Sequence, residues 1–182
     1  MKFRGAEAIV ETVEWNGQIV VSKIRNKRGY RHPSLEKKLV VERLRSESRI
    51  MERLLSRGIS VPALYSVNIS DNSLLMEYID GSTLEKALRE KDFRNHLVKT
   101  AELLTMIHSC NVVHGDPTTS NFLVTDKIHA IDFGLSSISE DDEDRASDLR
   151  VFIESLDSHH SEINGRDIFL STYSKWAKSK PV

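Results

Sequence analysis

A carboxylate stands inside the apolar stripe of a long helical pattern, and that one residue limits how the first third of the chain can pack. Residues 34–57 space their apolar side chains at helical intervals, Gly58 serves as a stop, and Val61-Pro62 follows. At the turn of an α-helix, Val40, Leu44, Met51, Leu54 and Leu55 fall within about 80° of Glu47. Glu42 and Glu52 fall about 140° away and read as solvent-facing acids. Burying an unpaired carboxylate costs several kcal/mol, so Glu47 requires a cation from another element.

The candidate donor precedes the helix. Residues 9–15 and 18–25 are β-branched runs around Asn16-Gly17, a strong signal for an antiparallel hairpin. Alternation along the second strand puts Lys23 on the same face as Ile19 and Val21, so a cation points where apolar neighbours point. Lys23 is the expected partner of Glu47. Residues 63–69 and 73–79 form a second predicted hairpin around Asp71-Asn72, and Gly81 reads as a connector. Ser82-Thr83-Leu84-Glu85 has capping-box form and predicts a short helix to about Lys91. Helices are predicted at about 94–110, 147–157 and 166–178, with short strand-and-loop fragments from Val112 to Gly134.

With 182 residues, 39% of them apolar, one compact unit with its own core is expected and neither metal nor disulfide is needed to hold it. Cys110 is the only cysteine, which excludes an internal disulfide and a Cys-rich zinc site. No apolar run approaches the ~18 residues of a membrane span, and the first residues lack a signal peptide's apolar stretch, so a soluble cytoplasmic protein is expected. The net charge of −1 hides a basic first third: residues 1–60 hold 14 Lys/Arg against 7 Asp/Glu. Such an excess suits either a phosphate-bearing partner or a solvated helix face.

Chemistry concentrates in the loops. Asp116 and Asn121 are five apart, and Asp132-Phe133-Gly134 begins eleven residues after Asn121. In phosphoryl transfer, a carboxylate such as Asp116 orients the attacking hydroxyl or water and takes its proton. An amide oxygen and a second carboxylate, here Asn121 and Asp132, hold magnesium against the triphosphate. Each motif alone is weak. Lys23 on an early strand, Glu47 on the next helix, the Asp-x4-Asn loop and then Asp-Phe-Gly, in one order, are specific.

The pattern is that of a protein-kinase-like protein, and the chain resembles more narrowly the small atypical kinase/ATPase subunit of the KEOPS complex, the p53-related-kinase-like family. The matching residues are Lys2-Phe3-Arg4-Gly5-Ala6-Glu7-Ala8, Tyr30-Arg31-His32-Pro33, Glu47 within Arg45-Ser-Glu-Ser-Arg49, His114-Gly-Asp-Pro-Thr-Thr-Ser-Asn121, Asp132-Phe-Gly-Leu135 and Asp148-Leu149. The resemblance implies an α+β, bilobal protein-kinase-like fold over residues 1–182. A small antiparallel-sheet N-lobe would cover about 1–78, and a truncated, mainly helical C-lobe about 79–182. It implies ATP and Mg2+ as cofactors, and ATP hydrolysis or serine/threonine kinase activity, with autophosphorylation, in support of tRNA threonylcarbamoyl-adenosine modification. The implied partners are the threonylcarbamoyl-transferase subunit and other KEOPS subunits, with tRNA touched indirectly or weakly and no membrane. Asp116 and Lys23 would be catalytic. Gly5, Ala6, Glu7 and Ala8 would cover the phosphates, Ile9 and Val21 would border the adenine, and the backbone of Glu77, Tyr78 and Ile79 would meet its edge as a hinge.

Departures from ordinary kinases carry physical consequences. Gly5-Ala-Glu-Ala8 replaces a glycine-rich phosphate loop, which weakens the grip expected there. Gly115 stands where many kinases carry an arginine that receives an activation-loop phosphate, so switching by that phosphate is not expected. Thr118 stands where many carry a lysine against the γ-phosphate. Asp148 follows Asp132 by only sixteen positions, too few for a peptide-docking segment, so water is the favoured acceptor. The acidic run Glu140–Asp144 is either a solvated loop or a contact for a basic partner patch. Basic residues at Lys23, Arg25, Lys27, Arg28 and Arg31, and at Lys175, Lys178 and Lys180, are candidate RNA contacts, Lys23 being occupied by ATP. Asp148 resembles a carboxylate that holds the catalytic loop, His114 reads as loop support, and His108, His159 and His160 as ordinary. A RIO-like or small-molecule kinase and a non-catalytic nucleotide-binding scaffold are the competing readings.

Overall fold

A computed structural model of the chain describes residues 2–4, 8–25, 33–90 and 92–179. The chain opens with strands β1 (Lys2–Arg4), β2 (Ala8–Trp15) and β3 (Gln18–Arg25). Asn16 and Gly17 both take positive φ, 50° and 75°, the backbone of a two-residue hairpin turn that suits the twist of its strands. After helix α1 (Pro33–Ser56) come β4 (Leu64–Asn68) and β5 (Ser73–Glu77), and the five strands form one antiparallel sheet in the order β1-β2-β3-β5-β4.

Pairing makes the rows of the sheet explicit. Val10, Lys23 and Leu74 form one row, and Thr12, Val21 and Met76 the next on the same face. Leu74 and Met76 belong to the core that Leu44, Met51 and Leu54 of α1 enter, so this face is covered by the helix. Ile19, nearer the start of β3, is 63% exposed. α1 ends as its sequence predicts: the N–H of Ile59 reaches the carbonyl of Leu54 and that of Gly58 reaches Leu55, a Schellman closure with Gly58 at φ 71°. Glu42 and Glu52 are exposed.

The C-lobe begins with β6 (Ser82–Thr83), which pairs with β8 (Phe122–Val124). This displaces the predicted capping box. Thr83 is held in extended backbone by its ladder to Leu123, makes no side-chain cap, and α2 (Leu84–Ala87) is one turn long. Helix α3 (Phe93–Ser109) leads to β7 (Val112–Val113), which pairs with the short β10 (Ser137–Ile138). β8 and β9 (Ile128–Ala130) form a hairpin. Helix α4 (Asp142–His159) starts five residues before its predicted position, because the acids are not all loop. Asp141 caps it by accepting the Glu143 N–H, and Asp142, Glu143 and Asp144 form its first turn, where negative charge suits the helix dipole. Helix α5 (Gly165–Ser179) packs on α3. Phe122, Phe152 and Phe169 are fully buried, with Phe152 stacked 4.0 Å from Phe169 and edge-on to Phe122. Among the described residues, no helix is long and apolar enough to cross a membrane.

Candidate active site between the lobes

Glu47 is 1% exposed, and it has its cation: Lys23 Nζ donates to its Oε1 at 2.5 Å. The same ammonium donates to Asp132 Oδ1 at 2.6 Å, so one lysine ties the sheet, α1 and the Asp132-Phe-Gly turn together. Burial of Asp132 pushes its carboxyl up, but the Lys23 charge and hydrogen bond, helped by the Gly134 N–H, outweigh it and hold the group below its usual value. Its side chain remains half exposed.

Asp132 follows Asn121 by eleven positions, and the β8–β9 hairpin closes that distance. Phe122 pairs with Ala130, and the N–H of Ile131 reaches the Asn121 carbonyl at 3.0 Å, so both residues emerge at the same end. Asn121 donates its amide Nδ2 to the Asp116 carbonyl (2.8 Å) and to Asp116 Oδ2 (3.0 Å). Burial raises the Asp116 carboxyl above its usual value, against the lowering effect of His114 and of the Asn121 hydrogen bond. His114 is fully buried, its Nε2 donates to the Ile131 carbonyl at 3.1 Å, and its ring lies 4.8 Å from that of Phe133. Burial lowers its pKa and favours the neutral ring. It supports the loop, as the sequence indicates.

Helix α4 holds the 114–121 loop from behind. Asp148, 1% exposed, accepts the N–H of His114 on Oδ2 (2.7 Å) and that of Gly115 on Oδ1 (2.8 Å). Ser155 Oγ, two turns on, accepts the N–H of Thr119 at 3.0 Å. His108 is not ordinary: in its Nε2-protonated form it donates to Asp148 Oδ2 at 3.0 Å, and Nδ1 then accepts the Tyr173 hydroxyl at 2.6 Å. No sequence signal joins residues 108, 148 and 173, which lie on three separate helices.

Other expectations need correction. Ile9 pairs with Ile24, on the face opposite Lys23 and Val21; Val10 takes the place beside them. The two-residue turn carried that register, since Trp15 opposite Gln18 dictates Ile9 opposite Ile24. Arg25 is 5% exposed and its Nη2 donates to Glu47 Oε2 at 2.5 Å, so it is part of the site and not an RNA-facing residue. The side chain of Glu77 has work of its own: Oε2 accepts the Ala63 N–H at 3.0 Å, pinning the entry to β4. Tyr78 is 38% exposed and Ile79 is buried. Ala8 is buried opposite Arg25. Gly5, Ala6 and Glu7, like Lys27, Arg28, Arg31 and Lys180, lie outside the described residues.

A sheet lobe and a helical lobe, with lysine, glutamate, two aspartates and an asparagine gathered where they meet, define the class: a protein-kinase-like fold. The protein kinase domain model matches residues 4–155. The chain is 37% identical to the EKC/KEOPS complex subunit BUD32 of Encephalitozoon cuniculi over 159 residues, 87% of this chain and 78% of that protein. It is 34% identical to the EKC/KEOPS complex subunit bud32 of Dictyostelium discoideum, over 95% of this chain and 72% of that one. Against a probable bifunctional tRNA threonylcarbamoyladenosine biosynthesis protein of Methanospirillum hungatei the identity is 38%, over 85% of this chain; the chain spans only 28% of that relative's length. Among solved structures, the Rio2 kinase of Chaetomium thermophilum superposes with a TM-score of 0.72 at 15% identity, covering 98% of this chain and 61% of that one, a likeness of fold. The chain belongs to the protein kinase domain family and, within it, to the family of BUD32-type EKC/KEOPS subunits.

Proposed function

We propose that this protein uses Mg-ATP in the cleft between its lobes and acts mainly as an ATPase that supports tRNA threonylcarbamoyladenosine formation, alongside the threonylcarbamoyl-transferase and other subunits of a KEOPS-type complex. The observation that carries the proposal is the double contact of Lys23, with Glu47 at 2.5 Å and Asp132 at 2.6 Å, beside the Asp116–Asn121 loop. That arrangement suits a triphosphate: one cation within reach of phosphate oxygens, and hard oxygen ligands a few residues away.

The donor chemistry fits magnesium. Asn121 commits its amide nitrogen to Asp116, which leaves Oδ1 as the atom to meet a cation, and the half-exposed Asp132 supplies the carboxylate. Bound there, the ion would neutralise charge on the transferring phosphate. Lys23 binds and orients the phosphates. Asp116 orients the nucleophile and takes its proton, its position set by Asn121. Val10 and Val21 border the adenine from the sheet, and the backbone of residues 77–79 meets its edge. Gly5 to Ala8 would cover the phosphates. Water is the favoured acceptor because residues 135–141 are too short to seat a peptide; serine or threonine hydroxyls, including the protein's own, are secondary acceptors.

Phosphate release from Mg-ATP by the purified chain, with and without a partner transferase subunit and tRNA, tests the proposal. Asp116→Ala should abolish release, by at least about a hundredfold, while leaving complex formation intact. Undiminished release would overturn the role given to Asp116, and tRNA modification that survives the substitution would favour a non-catalytic nucleotide-binding scaffold instead.

A further inference from the structure

Lys23 shares Glu47 with a second cation. Arg25 lies two residues on along β3, on the same face, and its guanidinium takes Oε2 while Lys23 takes Oε1. Both side chains are almost fully buried. The same Nη2 of Arg25 sits 3.5 Å from the carbonyl oxygen of Gly134, at the outer limit of a hydrogen bond. Gly134 is shaped to this approach: a Cβ there would stand 2.9 Å from Arg25 Nη2 and 3.0 Å from Asp132 Oδ1. Among the described residues, two cations and two carboxylates, Lys23, Arg25, Glu47 and Asp132, thus form one group spanning β3, α1 and the 132–134 turn.

The two cations cannot do the same work. An ammonium is a compact charge whose donors can swing to another anion, and Lys23 already divides itself between Glu47 and Asp132. Any phosphate that draws Lys23 away weakens its hold on Glu47, and a buried carboxylate left with a distracted partner is strongly destabilised. The planar guanidinium, tied to Oε2 and 3.5 Å from the Gly134 carbonyl oxygen, stays with Glu47. We infer that Arg25 is a positioning residue, which keeps Glu47 of α1 and the Asp132–Gly134 turn assembled whether Lys23 faces Asp132 or a phosphate. Its kinetic consequence rests on the Mg-ATP reading above; its structural consequence does not.

The test uses the full chain with Arg25→Met and Arg25→Lys, measuring steady-state phosphate release and amide hydrogen exchange. Arg25→Met should lower kcat by about tenfold or more while KM for Mg-ATP moves less than about threefold. Exchange should quicken at residues 44–50 and 132–136 and stay unchanged in α3 and α5. Arg25→Lys should recover the loss in part, since an ammonium reaches one of the two acceptors. Wild-type exchange at both segments in Arg25→Met overturns the inference, and so does exchange that quickens throughout α3 and α5, which would mark a merely structural arginine. Where Arg25→Met does not fold, Arg25→Lys decides on the same two segments. A wild-type chain without phosphate release would refute the Mg-ATP reading, and the exchange result would still settle Arg25.

Discussion

Gly115 sits at φ 82°, and a Cβ on it would meet the Leu135 carbonyl oxygen at 2.3 Å. Backbone of the segment after Asp132-Phe-Gly therefore lies directly on the 114–121 loop, where an arginine would not fit without displacing it. Gly115→Ala combines an unfavourable φ with this clash and should cost about 2 kcal/mol or more, seen as a lower midpoint in urea. Asp132 permits a pH test at the same scale. Its folded pKa is depressed, so its contribution is complete above the unfolded value of about 3.9 and is lost as pH falls through the folded one. Asp132→Asn should flatten that acid limb of the stability curve in the nucleotide-free protein, measured by denaturant unfolding across pH; an unchanged limb would mean that the Lys23 contact does not persist in solution. The pairing of Lys23 with Glu47 is legible in the sequence, because a charge in an apolar stripe needs a counter-charge. The role of Arg25 is not, because strand alternation shows which face a residue takes but not whether solvent reaches it.

Helix α4 holds the 114–121 loop through two side chains two turns apart, Asp148 and Ser155. Removing Asp148 would strand the buried His114 N–H, the Gly115 N–H and His108, so Asp148→Ala should destabilise the protein by about 3 kcal/mol and abolish phosphate release. His108→Phe should cost less, because the two backbone bonds to Asp148 survive, and a double-mutant cycle in thermal unfolding checks the coupling. Reading the acids as loop misplaces the start of α4. Side-chain capping by Asp141 and the dipole's preference for acids at an N-terminus turn a charge run into a first turn. The one-turn α2 shows the reverse, a local capping signal at Ser82-Thr83 overridden by pairing with β8.

Across the whole molecule, residues 135–141 act as a strap where larger kinases carry a phosphorylated loop. β10 pairs with β7, Ser139 N–H reaches the Asn111 carbonyl, and Asn111 donates to Glu140. α1 is clipped to the other lobe by Arg53, whose Nε donates to the Cys110 carbonyl at 2.8 Å. The cleft is held by contacts that need no phosphate. Phosphatase treatment should therefore leave phosphate release from Mg-ATP unchanged in a coupled assay.

Local chemistry alone determined the two hairpins with their asparagine turns, the long α1 with its glycine stop, the loops that carry Asp116, Asn121 and Asp132, and the demand of Glu47 for a cation. These depend on turn geometry, side-chain period and the cost of an uncompensated charge, all of which act within a few residues or through one obligatory pair. Tertiary structure decided the burial of Arg25 beside Lys23, the Asp148–His108–Tyr173 network, and the fate of Ser82-Thr83. Each of these turns on which distant backbone happens to lie alongside, and a solvent-exposed polar residue and a buried one are spelled with the same letters.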